Sequence, residues 1–169
     1  MKLPIDEMCA KSGVLCPKCQ RLVREKKVTS LEVELSKLIA NTVAKNKKYR
    51  NLELYRVLRL KNAAILLIKS GQKELYTDPS VSLINVISDK LGTDIVLLEK
   101  TKDTKKLVET IVAPATPISI TKVFIPPFGE EEYVIKIPKE QKNLVRFSSE
   151  EVAEIMKNLL GASAYLSFE

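Results

Sequence analysis

The chain has 169 residues, 45% of them hydrophobic and 29% charged, a composition that excludes a disordered protein and is typical of one globular domain or a tight pair. Its formal net charge of +7 favours an anionic partner, and nucleic acid is the commonest such partner. No stretch approaches the ~20 apolar residues of a membrane span, and no leader precedes the first charged residues, so we expect a cytoplasmic protein without a membrane partner.

All three cysteines lie in the stretch CAKSGVLCPKC, residues 9–19. With Asp6 they form the pattern D-x2-C-x6-C-x2-C, in which each of two ligand pairs spans a tight turn. Thiolate and carboxylate donors suit tetrahedral zinc, so Asp6, Cys9, Cys16 and Cys19 predict a structural zinc knuckle within residues 1–29. Two alternatives are buried thiols without a metal and a redox pair, although the thioredoxin-like pattern of a redox pair is absent. Because residues 1–29 are too few to bury a core, a metal would fold this arm.

The segment after the arm begins with a helix. Residues 31–45 carry apolar side chains at helical spacing, and we expect Ser30 to cap this helix. Residues 55–60 and 63–68 then predict two strands, of which the second is almost wholly apolar and therefore buried on both faces. Residues 70–77 are ambiguous. Asp78 and Pro79 predict the start of a helix that runs to Gly92, and residues 95–98 predict a third strand.

The rest of the chain repeats this order. Its predicted elements are a helix over 104–113, strands over 118–125 and 132–137, a helix over 149–160 and a strand over 164–168. At an offset of 69 residues, LIANTVA (38–44) aligns with LVETIVA (107–113), AILLI with YVIKI, and Leu91-Gly92 with Leu160-Gly161. One offset shared by three blocks predicts a duplicated α+β unit, with domains at 30–100 and 101–169 behind the arm at 1–29.

A helix, two strands, one or two helices and a last strand are the elements of the prokaryotic type of KH domain. The stretches CAKSGVLCPKC, LVETIVAPA, VFIPPFGEEEYVIKI and LLGASAYLSFE resemble the archaeal NusA-like transcription factors. The resemblance implies two tandem type II KH-like domains, each a three-stranded mixed sheet packed on helices, behind a zinc-knuckle-like arm. It also implies a role in transcription elongation or termination, with RNA and RNA polymerase as partners.

KH domains hold nucleic acid through a G-x-x-G loop between two helices. The resemblance places this loop at Asp78, Pro79, Ser80 and Val81 in the first copy and at Phe147, Ser148, Ser149 and Glu150 in the second. Neither loop contains glycine, Pro79 lacks an N–H donor, and two carboxylates lie where phosphates would approach. We therefore expect Asp78 and Ser148 or Ser149 to cap helices rather than to frame a phosphate site.

Basic residues near these loops are the alternative route to RNA. The predicted contacts are Lys45, Lys47, Lys48, Arg50, Lys69 and Lys73 in the first copy and Lys139, Lys142 and Arg146 in the second. Several such charges sustain binding to phosphates without reading the base sequence. The alternative function is a protein-interaction module that docks on RNA polymerase or the ribosome. With no histidine and no phosphate-binding glycine loop, we expect neither an enzyme nor a small-molecule substrate.

Overall fold

The computed structural model describes all residues, 1–169, and divides them into two compact units, Met1–Lys100 and Thr101–Glu169. Each unit combines helices with one three-stranded mixed sheet, which confirms the predicted α+β class. None of the helices has the length and apolar character needed to span a bilayer.

The first unit contains five helices and three strands. They are α1 (Glu7–Ser12), α2 (Pro17–Arg24), α3 (Ser30–Val43), β1 (Leu54–Arg59), β2 (Ala63–Ile68), α4 (Lys73–Thr77), α5 (Leu83–Leu91) and β3 (Asp94–Glu99). β2 lies at the centre of the sheet, antiparallel to β1 and parallel to β3. It is buried at five of its six positions, as its apolar sequence predicted. The core beneath it joins apolar side chains of α3 and α5 to the fully buried rings of Tyr49 and Tyr76.

Helix α3 is capped by Thr29, so the prediction of Ser30 as the cap is wrong. The Thr29 hydroxyl accepts a hydrogen bond from the Glu32 amide at 3.2 Å, and the Glu32 carboxylate accepts one from the Thr29 amide at 3.1 Å. This reciprocal capping box satisfies two N–H groups at the helix start, which a serine one residue later cannot do.

Helix α5 begins at Leu83, so the prediction that it starts at Asp78-Pro79 is also wrong. Asp78 follows the last residue of α4, and its carboxylate accepts a hydrogen bond from the Ser80 amide at 2.9 Å. The chain then passes through Ser82 in the left-handed region (φ 51°) before helical geometry begins. The local turn made by Asp78 therefore competes successfully with helix formation.

Residues 1–29 pack on α3 and belong to the same compact unit as the first sheet. Ile5, Cys9, Ala10 and Cys19 are buried in a cluster that also includes residues of α3. At the extreme N-terminus, Lys2 exchanges backbone hydrogen bonds with residues 52 and 54, ahead of and at the start of β1. The apolar contacts of this arm are thus supplied largely by α3.

The second unit contains α6 (Thr104–Val112), β4 (Ser119–Ile125), β5 (Glu130–Ile137), α7 (Ser149–Leu160) and β6 (Ser163–Phe168). Its sheet has the same order and strand directions as the first. In the first sheet Leu66 pairs with Leu97, and in the second Ile135 pairs with Leu166, so both partners move by the same 69 residues. The repeat predicted from the sequence is therefore present in the strand register itself.

Candidate metal centre and basic surface

The predicted metal ligands come together in the arm. One donor atom from each of Asp6, Cys9, Cys16 and Cys19 lies within 4.8 Å of all the others. Gly13, in the left-handed conformation (φ 78°), ends α1 and lets the chain turn back toward α2. Pro17 then begins α2, and Cys16 is its N-cap. Three cysteines and one aspartate in this arrangement can hold a metal ion.

Each of the three sulfur atoms accepts a backbone hydrogen bond. The Asp6 amide donates to Cys19 Sγ at 3.4 Å, the Cys16 amide to Cys9 Sγ at 3.3 Å, and the Cys19 amide to Cys16 Sγ at 3.5 Å. Such bonds stabilise negative charge on sulfur and orient it, as the groups behind metal ligands commonly do. The fourth donor, the Asp6 carboxylate, lies 3.7 Å from Cys16 Sγ.

The thiols of this cluster differ in their electrostatics. The Cys19 amide and, next, the Cys9 thiol hold the pKa of the Cys16 thiol below its usual value. Burial raises the pKa of the Cys19 thiol to about 11. The Lys18 ammonium lies 3.7 Å from Asp6 Oδ1 and adds positive charge beside the cluster. A divalent cation would compensate the charge that four anionic ligands cannot carry together in so small a space.

The donor set fits a tetrahedral ion. Metal–sulfur bonds of about 2.3 Å require sulfur atoms roughly 3.8 Å apart in a tetrahedron. The four donor atoms, all within 4.8 Å of one another, lie close to that spacing. The arm therefore brings the four predicted ligands near enough to share one ion.

The first degenerate loop lies beside the basic run that follows α3. Lys48 Nζ forms an ion pair with Asp78 Oδ2, although 30 residues separate them. The hydrogen bond from Lys48 is the main cause that lowers the pKa of Asp78 to about 2, and the hydrogen bond from the Ser80 amide is the next. Lys45, Lys47 and Arg50 flank Lys48 along the chain, are exposed and form no ion pair. The Asp78 carboxylate thus accepts from the Ser80 amide and also pairs with Lys48.

The two lysines of the first copy that precede the loop differ from each other. Lys69 Nζ lies 3.2 Å from Glu53 Oε1, so its charge is partly neutralised. Lys73 is the first residue of α4 and is exposed without an ion pair. Lys73 therefore begins the helix that Asp78 follows.

In the second copy the predicted loop is part of a helix start. Phe147 is buried, and the Ser148 hydroxyl accepts a hydrogen bond from the Glu151 amide at 3.2 Å as the N-cap of α7. Ser149 and Glu150 are the first two residues of that helix, so Ser148 is the capping serine and no open loop remains. For Asp78 the expected helix N-cap is wrong, because it follows α4 and precedes a turn.

The basic residues before this second loop lie on a short 3₁₀ segment and the residues after it. Lys139 and Lys142 belong to the segment Lys139–Leu144, and Arg146 follows it. Lys142 Nζ lies 5.5 Å from the centre of the Phe168 ring, a cation–π contact that holds it over β6. All three side chains are exposed.

Two arrangements were missed by sequence reasoning. The contact between Lys48 and Asp78 has no local signal, because it joins elements that are distant along the chain. The second is the contact of Glu32, which is buried and whose Oε1 accepts a hydrogen bond from the Val57 amide at 3.0 Å. The spacing Thr29-x-x-Glu32 is a capping-box signal and would have marked it.

No protein-family profile and no curated protein matches the chain. Among solved structures, the chain is similar to the one titled "Crystal structure of APE1850", with a TM-score of 0.56 and 17% sequence identity. The match covers 76% of this chain and 96% of that one. At this identity the similarity concerns the fold alone.

Proposed function

We propose that this protein is an RNA-binding, NusA-like transcription factor of the cytoplasm, built from two type II KH-like domains and not an enzyme. The observation that carries the proposal is the contact between Lys48 and Asp78. This contact joins the basic run 45–50 to Asp78, the first residue of the loop that the family resemblance implies, and so supports a phosphate-binding surface there.

The mode of binding differs from that of a glycine loop. Because Asp78 occupies the Ser80 amide, the backbone has no donor to spare for a phosphate. The exposed cations Lys45, Lys47 and Arg50 flank Lys48 along the chain, and Lys73 begins the helix that Asp78 follows, so these charges supply the phosphate contacts under this proposal. Contacts of this kind fix RNA through charge and do not select bases.

The test is a fluorescence-anisotropy titration of a labelled single-stranded RNA at several salt concentrations. Each lost phosphate contact reduces the slope of log K against log salt by about 0.7 for a single strand. The triple variant Lys45→Gln, Lys47→Gln and Arg50→Gln should therefore flatten the slope by about 2. Lys48 is left intact because it holds the loop.

The matched control neutralises three exposed lysines of the second unit, Lys102, Lys106 and Lys157, that lie outside the predicted contacts. Both variants carry the same net charge. If binding depended only on the overall charge of the protein, the RNA affinity of the two variants would fall equally. Equal weakening, or no RNA binding by the wild type at low salt, contradicts the proposal.

A second candidate is a protein-interaction module that docks on RNA polymerase or the ribosome. It is favoured by the second unit, where Ser148 caps α7 and no loop is left for a phosphate. Under this alternative the triple variant retains full function in a polymerase- or ribosome-binding assay, whereas under the RNA proposal its RNA affinity falls.

We also propose that the metal of the arm is zinc, held by Asp6, Cys9, Cys16 and Cys19. Zinc is supported by the mixture of three thiolates with one carboxylate, a donor set that suits a four-coordinate structural site, and by the closeness of the four donor atoms. Bound there, zinc would cross-link α1 to α2. The ion can be identified by elemental analysis of the purified chain.

A further inference from the structure

In the first sheet, a side-chain carboxylate accepts a hydrogen bond from a backbone amide of the edge strand β1. β1 is an edge strand, and the Val57 amide donates to Glu32 Oε1 rather than to a neighbouring strand. Arg56 Nε lies 3.6 Å from the same oxygen, so a cation accompanies the contact. One buried glutamate from α3 therefore takes the place that a further strand's carbonyl would occupy.

The second sheet lacks this closure. Val57 pairs with Leu66, and Ile120 pairs with Ile135, the counterpart of Leu66 at the 69-residue offset. Ile120 therefore occupies on β4 the place that Val57 occupies on β1, and by the same register its amide faces the outer edge. The counterpart of Glu32 at this offset is Thr101, which carries no carboxylate and precedes α6.

A groove of about 580 Å³ lies between the start of α6 and β4, and Tyr133 of the central strand β5 also lines it. Lys105 and Lys122 supply positive charge, while Pro117, Ile118 and Ile120 supply an apolar wall. Lys105 is exposed and forms no ion pair, whereas Lys122 Nζ lies 2.7 Å from Glu131 Oε1. Glu109 lines the side of the groove that α6 forms.

We propose that this groove binds an extended segment of a partner protein that carries a glutamate or aspartate. The segment pairs with the edge of β4 through backbone hydrogen bonds beyond Ile120, and its carboxylate accepts from the Ile120 amide itself, beside Lys105. Its alternate side chains pack on the apolar wall, as in other strand-addition complexes. The first unit shows the chemistry of the contact, since its own Glu32 makes it at 3.0 Å.

The charges around the groove favour a peptide over a nucleic acid. Glu109 lines the groove, and Glu130 and Glu131 lie at the hairpin end of the same two strands. These carboxylates repel a continuous phosphate backbone, whereas a peptide can place one carboxylate at the lysines and neutral residues elsewhere. The proposal goes beyond RNA binding and does not depend on it.

The test uses the full ¹⁵N-labelled chain and an acetylated, amidated peptide of sequence ATVEVTA, with ATVQVTA as its matched control. Binding of the glutamate peptide should shift the Ile120 amide resonance and leave that of Val57 in place, because Glu32 already occupies the latter. A charged acceptor at this donor should make the glutamate peptide bind about fivefold more tightly than the glutamine peptide.

Single substitutions distinguish peptide binding in the groove from attraction to the overall charge of the protein. Lys105→Gln should weaken the glutamate peptide several-fold, whereas Lys102→Gln, outside the groove, should leave its affinity unchanged. Ile120→Pro removes the outward donor at an edge position where proline is tolerated, and it should abolish the preference for glutamate over glutamine.

The proposal is overturned if neither peptide binds, if the two bind equally, or if binding leaves the Ile120 amide unshifted. It is also overturned if a single-stranded RNA, and not the peptide, shifts this amide. The measurement on the wild-type chain decides the matter even if Ile120→Pro fails to fold. RNA binding at the first unit is read from different amides, near Lys45 and Ser80, so the two proposals fail separately.

Discussion

Among the polar side chains of α3, Glu32 should contribute most to the stability of the first unit, because it joins the start of the helix to the edge strand β1. Its carboxylate accepts hydrogen bonds from the Val57 amide at 3.0 Å and the Thr29 amide at 3.1 Å. We expect Glu32→Ala to destabilise the first unit by about 3 kcal/mol. Of this, the hydrogen bond from Val57 to a charged acceptor supplies about 2 kcal/mol and the helix cap about 1 kcal/mol.

Glu32→Gln refines the same prediction. The amide side chain keeps one oxygen acceptor but turns an NH₂ group toward the second donor, so a cost of about 1.5 kcal/mol is expected. Glu34 on the same helix is exposed and forms no hydrogen bond or ion pair, and Glu34→Ala should change stability by less than about 0.5 kcal/mol.

The assay is urea denaturation of the full chain, combined with native-state hydrogen exchange at the Val57 amide. Exchange at Val57 should accelerate in Glu32→Ala and remain unchanged in Glu34→Ala. If the two alanine variants have the same free energy of unfolding, or if Val57 exchanges at the wild-type rate in both, the carboxylate does not close the sheet edge and the reasoning fails.

Two further predictions concern the arm and the first loop. Cys19→Ser should lower metal affinity more than about 100-fold and leave the chain without metal in elemental analysis. Met8→Ser, on the exposed side of the same arm, should retain one metal per chain. Equal metal content in the two variants contradicts the ligand assignment. The hydrogen bond from Lys48 holds the pKa of Asp78 at about 2, below its value in the unfolded chain. The ion pair therefore stabilises the fold above about pH 4, and this contribution is lost as the pH falls through about 2. Lys48→Gln should raise the Asp78 pKa toward its ordinary value in an NMR titration, and an unchanged pKa would show that the two side chains do not meet in solution.

Local signals in the sequence were sufficient for most elements of the fold. The apolar run of β2, the helical spacing of α3 and α7, and the glycines Gly92 and Gly161 that end helices each depend on neighbours within a few residues. Helix starts were less predictable, because Asp78 and Ser30 have the residue types of caps but neither caps the helix expected of it. Thr29 supplied the cap of α3, and the turn at Asp78 delayed α5 to Leu83.

By itself the sequence determined the doubled α+β plan and the cysteine and aspartate cluster, because apolar periodicity, a constant offset and paired ligand spacing are properties of short stretches. Only the tertiary structure decided that Lys48 meets Asp78 and that Glu32 closes one sheet edge while Ile120 leaves the other open. The physical reason is that these contacts join groups 25 to 30 residues apart, whose meeting depends on how the helices pack on the sheet and not on any nearby residue.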